Sequence, residues 1–166
     1  MACQDSKVKN RKEAYPFPDS KKRDTISADF INQFNLKSDN KSVPDSPYTL
    51  LCNFDANCSA CIMQFINFLE NINKGKAGTS VRYVFIAYAS DLSLIHYYMK
   101  EFNIILRSNQ LMITDNDKSF ERLHSFIEKH AMNIILTNRN YEVITSGNPF
   151  TESKVSEIYR NLRILF

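Results

Sequence analysis

Cys58 and Cys61 stand where an apolar run gives way to a helical pattern, in Tyr48-Thr-Leu-Leu-Cys52-Asn-Phe-Asp55-Ala-Asn-Cys58-Ser-Ala-Cys61-Ile-Met-Gln-Phe65. A strand, a short turn and a C-x-x-C opening a helix form an arrangement suited to thiol chemistry. The thiolate is the reactive form of cysteine, and a helix N-terminus stabilises negative charge through its unpaired N–H groups and its dipole. Two thiols one helical turn apart can pass between dithiol and disulfide. The competing reading of the same pair is a structural disulfide, or two unreactive thiols.

The neighbours of the pair bear on the choice. Asp55 lies three residues before Cys58. A carboxylate there either raises the pKa of the sulfur or relays a proton from Cys61, and the two effects act oppositely on rate. Ser59 and Ala60 are small and uncharged, and Asn57 is suited to cap the helix. Cys52, in the preceding strand, is either a small buried apolar residue or a third thiol behind the motif. Zinc takes about four ligands, and neither a second C-x-x-C nor a histidine pair is present, so no metal and no cofactor are expected. His124 and His130 are six residues apart and share no helix face. They and His96 are expected to be surface or partly buried histidines. No glycine-rich phosphate loop and no G-x-S-x-G occur.

The elements that must position the dithiol follow from the hydrophobic periodicity. Tyr48–Phe54 reads as a strand and Cys58–Lys74 as a helix with Ile62, Phe65, Ile66, Leu69 and Ile72 inward, ending near Gly75. Val81–Ala89 is nearly all apolar, as in the middle of a parallel sheet. A helix capped by Ser90 or Asp91 has a core face of Ile95, Tyr98, Met99 and Phe102. A short strand at Leu111–Thr114 precedes a helix at Lys118–His130 with Phe120, Leu123 and Ile127 inward. Asn133–Thr137 and Glu142–Ser146 make a hairpin, and a last helix runs from a Thr151 cap through Val155, Ile158, Tyr159 and Leu162. Upstream, an amphipathic helix with a Thr25 cap carries Ile26, Phe30, Ile31 and Phe34. The expected organisation is a flexible polar tether over 1–24, a short helix and linker over 25–47, and an α/β domain over 48–166.

At 166 residues and 43% apolar, the chain can bury a core without staples. The net charge of +3 resides in residues 1–24, which hold seven basic and four acidic side chains, while the rest holds 14 of each. A nucleic-acid binder shows a basic face on its fold, so no nucleic-acid partner is expected. The tail reads as a solvated linker, with attraction to anionic lipid as a second reading. No apolar run is long enough to span a bilayer, and Met-Ala-Cys-Gln-Asp-Ser-Lys has no signal-peptide core. The expectation is either a cytoplasmic chain or one that begins after a removed signal. Cys3 heads a polar segment with no packing role for it.

Taken together, the β-α-β-α-β-α-β-β-α order, Cys58-Ser-Ala-Cys61 and the Gly147-Asn148-Pro149 after the hairpin resemble the thioredoxin-like superfamily. More narrowly, they resemble thioredoxin-like lipoproteins of Bacteroidetes, over roughly residues 46–164. The resemblance implies a thioredoxin-like fold with a central mixed sheet and helices on both faces. It implies a thiol–disulfide exchange protein of the cell envelope acting on protein thiols and disulfides, with Cys58 attacking and Cys61 resolving. It also implies Cys3 as a lipid-attachment cysteine tethering the chain to a membrane in the periplasm. Two departures stand out. The place of the family's cis-proline falls at Met132, and no proline occurs between Pro47 and Pro149; Asn57 stands where a tryptophan is usual. These departures keep a second reading open, a non-enzymatic binding or assembly module with a structural or vestigial C-x-x-C. Oligomeric state and redox direction have no signature in the sequence.

Overall fold

A computed structural model of the chain describes residues 23–37, 46–75, 81–127 and 130–164. The polar tether with Cys3, most of the loop before Tyr48 and the side chain of Phe34 lie outside the described residues. The elements are α1 (Ala28–Lys37), β1 (Tyr48–Asp55), α2 (Ser59–Lys74), β2 (Val81–Tyr88), α3 (Ser93–Glu101), β3 (Gln110–Thr114), α4 (Ser119–Leu123), β4 (Met132–Asn138), β5 (Val143–Ser146) and α5 (Ser153–Asn161).

The five strands form one mixed sheet in the order β3-β2-β1-β4-β5. β1, β2 and β3 are parallel, and β4 runs antiparallel to both β1 and β5. Side chains alternate between the faces of a strand, and both faces here are apolar. On one face Leu50, Phe54, Phe85 and Leu136 meet Ile62, Phe65 and Leu69 of α2, Ile95 of α3 and Tyr159 of α5. The Phe54 and Phe65 rings stack at 4.2 Å, which locks the start of α2 onto the end of β1. Burying a side chain such as Phe65 contributes roughly 2–3 kcal/mol. On the other face Leu51, Val84, Ile86 and Ile135 are covered by Ile26, Phe30 and Ile31 from the α1 segment and by Phe120 of α4. This is the mixed sheet with helices on both faces that the element order predicts.

Several local expectations are corrected. Thr25 does not cap α1. It forms a bridge with Glu142, while Ile26 N–H donates to Tyr141 O and Val143 N–H donates to Asp24 O, so these residues extend the sheet edge. The Lys118–His130 helix shrinks to Ser119–Leu123, which leaves Leu123 half exposed. Phe102 lies past the last turn of α3 and is exposed rather than part of its core face. Glu152, not Thr151, is the residue before α5. His124 is buried, more deeply than the surface or partly buried place expected of it.

Candidate functional site

The C-terminal end of β1 and the start of α2 bring Asp55, Cys58 and Cys61 together. β1 is the central strand, flanked by β2 and β4, so its end is held on both sides. Asp55 closes the strand, Ala56 N–H donates to Tyr88 O at 3.0 Å, and Cys58 adopts extended backbone angles before the helix begins. The cap of α2 is therefore Cys58 itself and not Asn57: its sulfur accepts the backbone N–H of Cys61 at 3.3 Å. Asn57 has another task. Its backbone N–H donates to Asp55 Oδ1 at 2.9 Å, and its side-chain amide donates to the same oxygen at 3.3 Å and to Tyr88 O at 3.1 Å. Asp-x-Asn is an Asx-turn pattern, legible in the sequence as a turn signal.

The two thiols sit in different surroundings. Cys58 is half-buried and Cys61 is buried. The thiol of Cys61 and then its backbone N–H hold the Cys58 pKa below the ordinary thiol value, with Ala60 N–H adding to this and Asp55 opposing it. Burial, then the hydrogen bond to Cys58 and the nearby charges, push Cys61 up to about 11. One sulfur is therefore accessible and disposed to ionise, and its neighbour is sequestered and protonated.

Cys52 does not join them. It is fully buried in mid-strand between Phe85 and Ile134, and burial raises its pKa far above the ordinary range. Its electrostatic neighbour is Tyr159 of α5. Met132 does come close in register: it opens β4 opposite Phe54, packs against the α2-side core, and follows Ala131, whose carbonyl accepts Asp55 N–H at 3.4 Å. Among the described residues no group of three His, Cys, Asp or Glu side chains is placed to hold a metal ion. No described helix is long and apolar enough to cross a membrane.

A groove of about 630 Å³ runs along β4, with Gln64, Met132, Asn133, Gly147 and Glu152 in its wall. Gln64, three residues past Cys61 on α2, is the residue of that helix in the groove wall, and neither Cys58 nor Cys61 lines the groove. Gly147 has φ +122° and donates its N–H to Ile134 O at 2.8 Å. The next residue, Asn148, donates its N–H to Glu152 Oε1 at 2.7 Å, so the Gly147-Asn148-Pro149 segment is a built corner of this groove.

No protein-family model and no curated protein matches the chain. Solved structures do resemble it. A thioredoxin-like protein from Parabacteroides distasonis aligns over 70% of this chain and 82% of its own, with TM-score 0.52 and 15% identity. The thioredoxin domain of a thiol-disulfide oxidoreductase from Bacteroides vulgatus aligns over 71% and 80%, with TM-score 0.50 and 14% identity. A candidate thiol:disulfide interchange protein DsbE from Chlorobium tepidum aligns over 72% and 80%, with TM-score 0.52 and 12% identity. With the strand order and the dithiol position above, these likenesses establish that the chain has the thioredoxin-like fold.

Proposed function

We propose that this thioredoxin-fold chain is a thiol–disulfide exchange protein in which Cys58 attacks and Cys61 resolves. The observation that carries the reading is the contrast between the paired sulfurs: Cys58 accessible and favoured as thiolate, Cys61 buried and held as thiol. The Cys58 thiolate attacks one sulfur of a partner disulfide. A Cys58–partner bond forms, the partner's disulfide breaks, and the departing sulfur takes the electron pair and a proton. Cys61 then gives up its proton and attacks Cys58 Sγ, releasing the second partner sulfur. The chain ends as the Cys58–Cys61 disulfide and the partner as a dithiol, with two electrons and two protons passed across. The same steps reversed oxidise a partner.

The test is partner trapping with Cys61→Ser, together with titration of the pair against glutathione. The expected results are a mixed disulfide through Cys58, its loss in Cys58→Ser, and a potential between about −270 and −120 mV. A potential below about −300 mV, with no trapped partner, would instead favour the binding-module reading, which Met132 in the proline position supports. For location, the reading adds the cell envelope, with Cys3 acylated and the segment after it as tether. Its check is fatty-acid labelling of the full chain, lost in Cys3→Ser.

A further inference from the structure

We propose that Asp55 and Asn57 form a positioning clamp for the dithiol: Asn57 straps the Cys58 turn to the end of β2 and holds the Asp55 carboxylate as a fixed negative charge next to the pair. The inference deepens the exchange reading and rests on it only for its redox consequence.

The geometry is a closed set of bonds. Asp55 Oδ1 accepts two N–H groups of Asn57, at 2.9 and 3.3 Å, and the Asn57 amide also reaches Tyr88 O at 3.1 Å. Ala56 N–H reaches the same carbonyl of Tyr88 at 3.0 Å, and Asp55 N–H reaches Ala131 O at 3.4 Å. The turn between strand and dithiol is thus tied to both neighbouring strands before α2 begins. None of the ion pairs among the described residues involves Asp55, so its charge is not neutralised by a Lys or Arg. The carboxylate disfavours ionisation of both sulfurs, as the weakest of the influences on Cys58 and a minor one on Cys61 beside burial and Cys58 itself. It therefore opposes what the helix start and the Cys61 N–H do for the Cys58 thiolate.

The consequence is a direction of redox poise. A disulfide carries no charge, so a neighbouring carboxylate leaves it nearly untouched while destabilising the thiolate of the reduced form. A dithiol whose thiolate is less stabilised holds its electrons less firmly and is the better reductant. Asp55 and Asn57 are positioning residues in this scheme; neither is asked to touch a substrate.

Three variants separate charge from geometry. Asp55→Asn keeps an oxygen acceptor for Asn57 but removes the charge, Asp55→Ala removes both, and Asn57→Ala keeps the charge but cuts the strap to Tyr88. Iodoacetamide labelling of the reduced full chain, read by mass for each cysteine against pH, reports Cys58 ionisation. The expected result is a profile shifted to lower pH in Asp55→Asn, with a potential moved to less negative values. In Asn57→Ala the profile should shift less, with faster hydrogen exchange at the Ala56 and Asn57 amides. A profile in Asp55→Asn that overlies the parent's, or moves to higher pH, would overturn the electrostatic half. Unchanged amide protection in Asn57→Ala would overturn the clamp. Labelling reads Cys58 whether or not any partner is exchanged, so failure of the trapping experiment and failure of this inference are separate results.

Discussion

The backbone N–H of Cys61 points at the sulfur of Cys58 across 3.3 Å, so the second cysteine of the pair supplies the donor that caps the helix on the first. Capping by a sulfur differs from capping by Asn or Ser because the acceptor here is also the titrating atom. The capping bond strengthens when Cys58 becomes a thiolate and weakens when Cys58 enters an uncharged mixed disulfide.

That relationship sets an order of thiol reactivity. Of the three described cysteines in the reduced native chain at pH 7.5, Cys58 is alkylated first, Cys61 much more slowly, and Cys52 only when the chain unfolds. The physical reasons are a lowered pKa, a pKa of about 11 with burial, and complete burial in mid-strand, respectively. Raising the pH from 7 to 9 should accelerate Cys61 more steeply than Cys58, since the Cys58 pKa is held below the ordinary thiol value and the Cys61 pKa is pushed up to about 11. Timed labelling with peptide mass mapping checks the order. Cys61 reacting before Cys58 would refute it.

Much of this site is legible from local pattern, and its failures have local causes too. The C-x-x-C after a buried strand places the dithiol, and the 3.6-residue spacing of Ile62, Phe65, Ile66 and Leu69 orients α2 correctly. The identity of the cap is not legible, because Asn57 is a good cap by type and is recruited instead by Asp55 and Tyr88, the latter more than thirty residues away in sequence. The α4 overreach has a sharper cause. Phe120, Leu123 and Ile127 keep helical period, yet the His124 ring takes Phe120 O at 2.6 Å, the carbonyl that the His124 backbone N–H would need to continue the helix. Thr25 fails as a cap because its segment pairs with residues near 142, a contact that no local window shows.

Gly147→Ala should destabilise the chain by roughly 1–2 kcal/mol and disturb the groove along β4. At φ +122° an L side chain is strained, and a Cβ would lie 2.6 Å from Glu152 Oε2, on the carboxylate that holds Asn148 N–H. Urea unfolding checks the loss, and Glu152→Ala in the same background should not restore stability, because the backbone strain persists. Parent-like stability in Gly147→Ala would count against this account.

Tyr83 and Tyr159 present the opposite case, in which removing a polar atom helps. Both hydroxyls are buried in the α2-side core with no hydrogen-bond partner among the described residues, and burial pushes the Tyr83 pKa up to about 12. A buried hydroxyl without a partner carries its desolvation cost uncompensated. Tyr159→Phe should therefore be neutral or stabilising, by up to about 1 kcal/mol. Tyr159→Ala should cost about 3–5 kcal/mol as for other large-to-small core changes. Thermal and urea unfolding of the two variants decide it; a Phe variant that loses more than about 1 kcal/mol would reveal a partner for the hydroxyl.

His124 couples the α1 segment to pH. Its ring is enclosed by Phe30, Phe120 and Phe126, with centroid distances of 5.7, 4.8 and 5.8 Å. Nδ1 lies 2.6 Å from Phe120 O and so carries the proton as a donor, while Nε2 accepts Ser27 N–H at 2.8 Å. The imidazole must be neutral to do both. A proton on Nε2 would set a donor against the Ser27 donor inside an aromatic cage. Nearby charges offer no compensation through direct bonds: Glu121 is engaged by Asn53, and Arg122 pairs with Asp117. Burial accordingly holds the His124 pKa below its ordinary 6.5, with the Phe120 bond opposing. For a group whose folded pKa is depressed, the unfolded chain binds the proton first as pH falls. The stabilisation is complete above pH 6.5 and is lost progressively on acidification through and below that value. The expected result is a fall in unfolding free energy from pH 7.5 to 5.5, with earlier hydrogen exchange at the Ser27 amide than at amides of β1. His124→Gln should start about 1–2 kcal/mol less stable at pH 7.5 and show a flatter profile over the same range. Equal pH dependence in parent and variant would assign the acid sensitivity to other groups and leave His124 a packing residue alone.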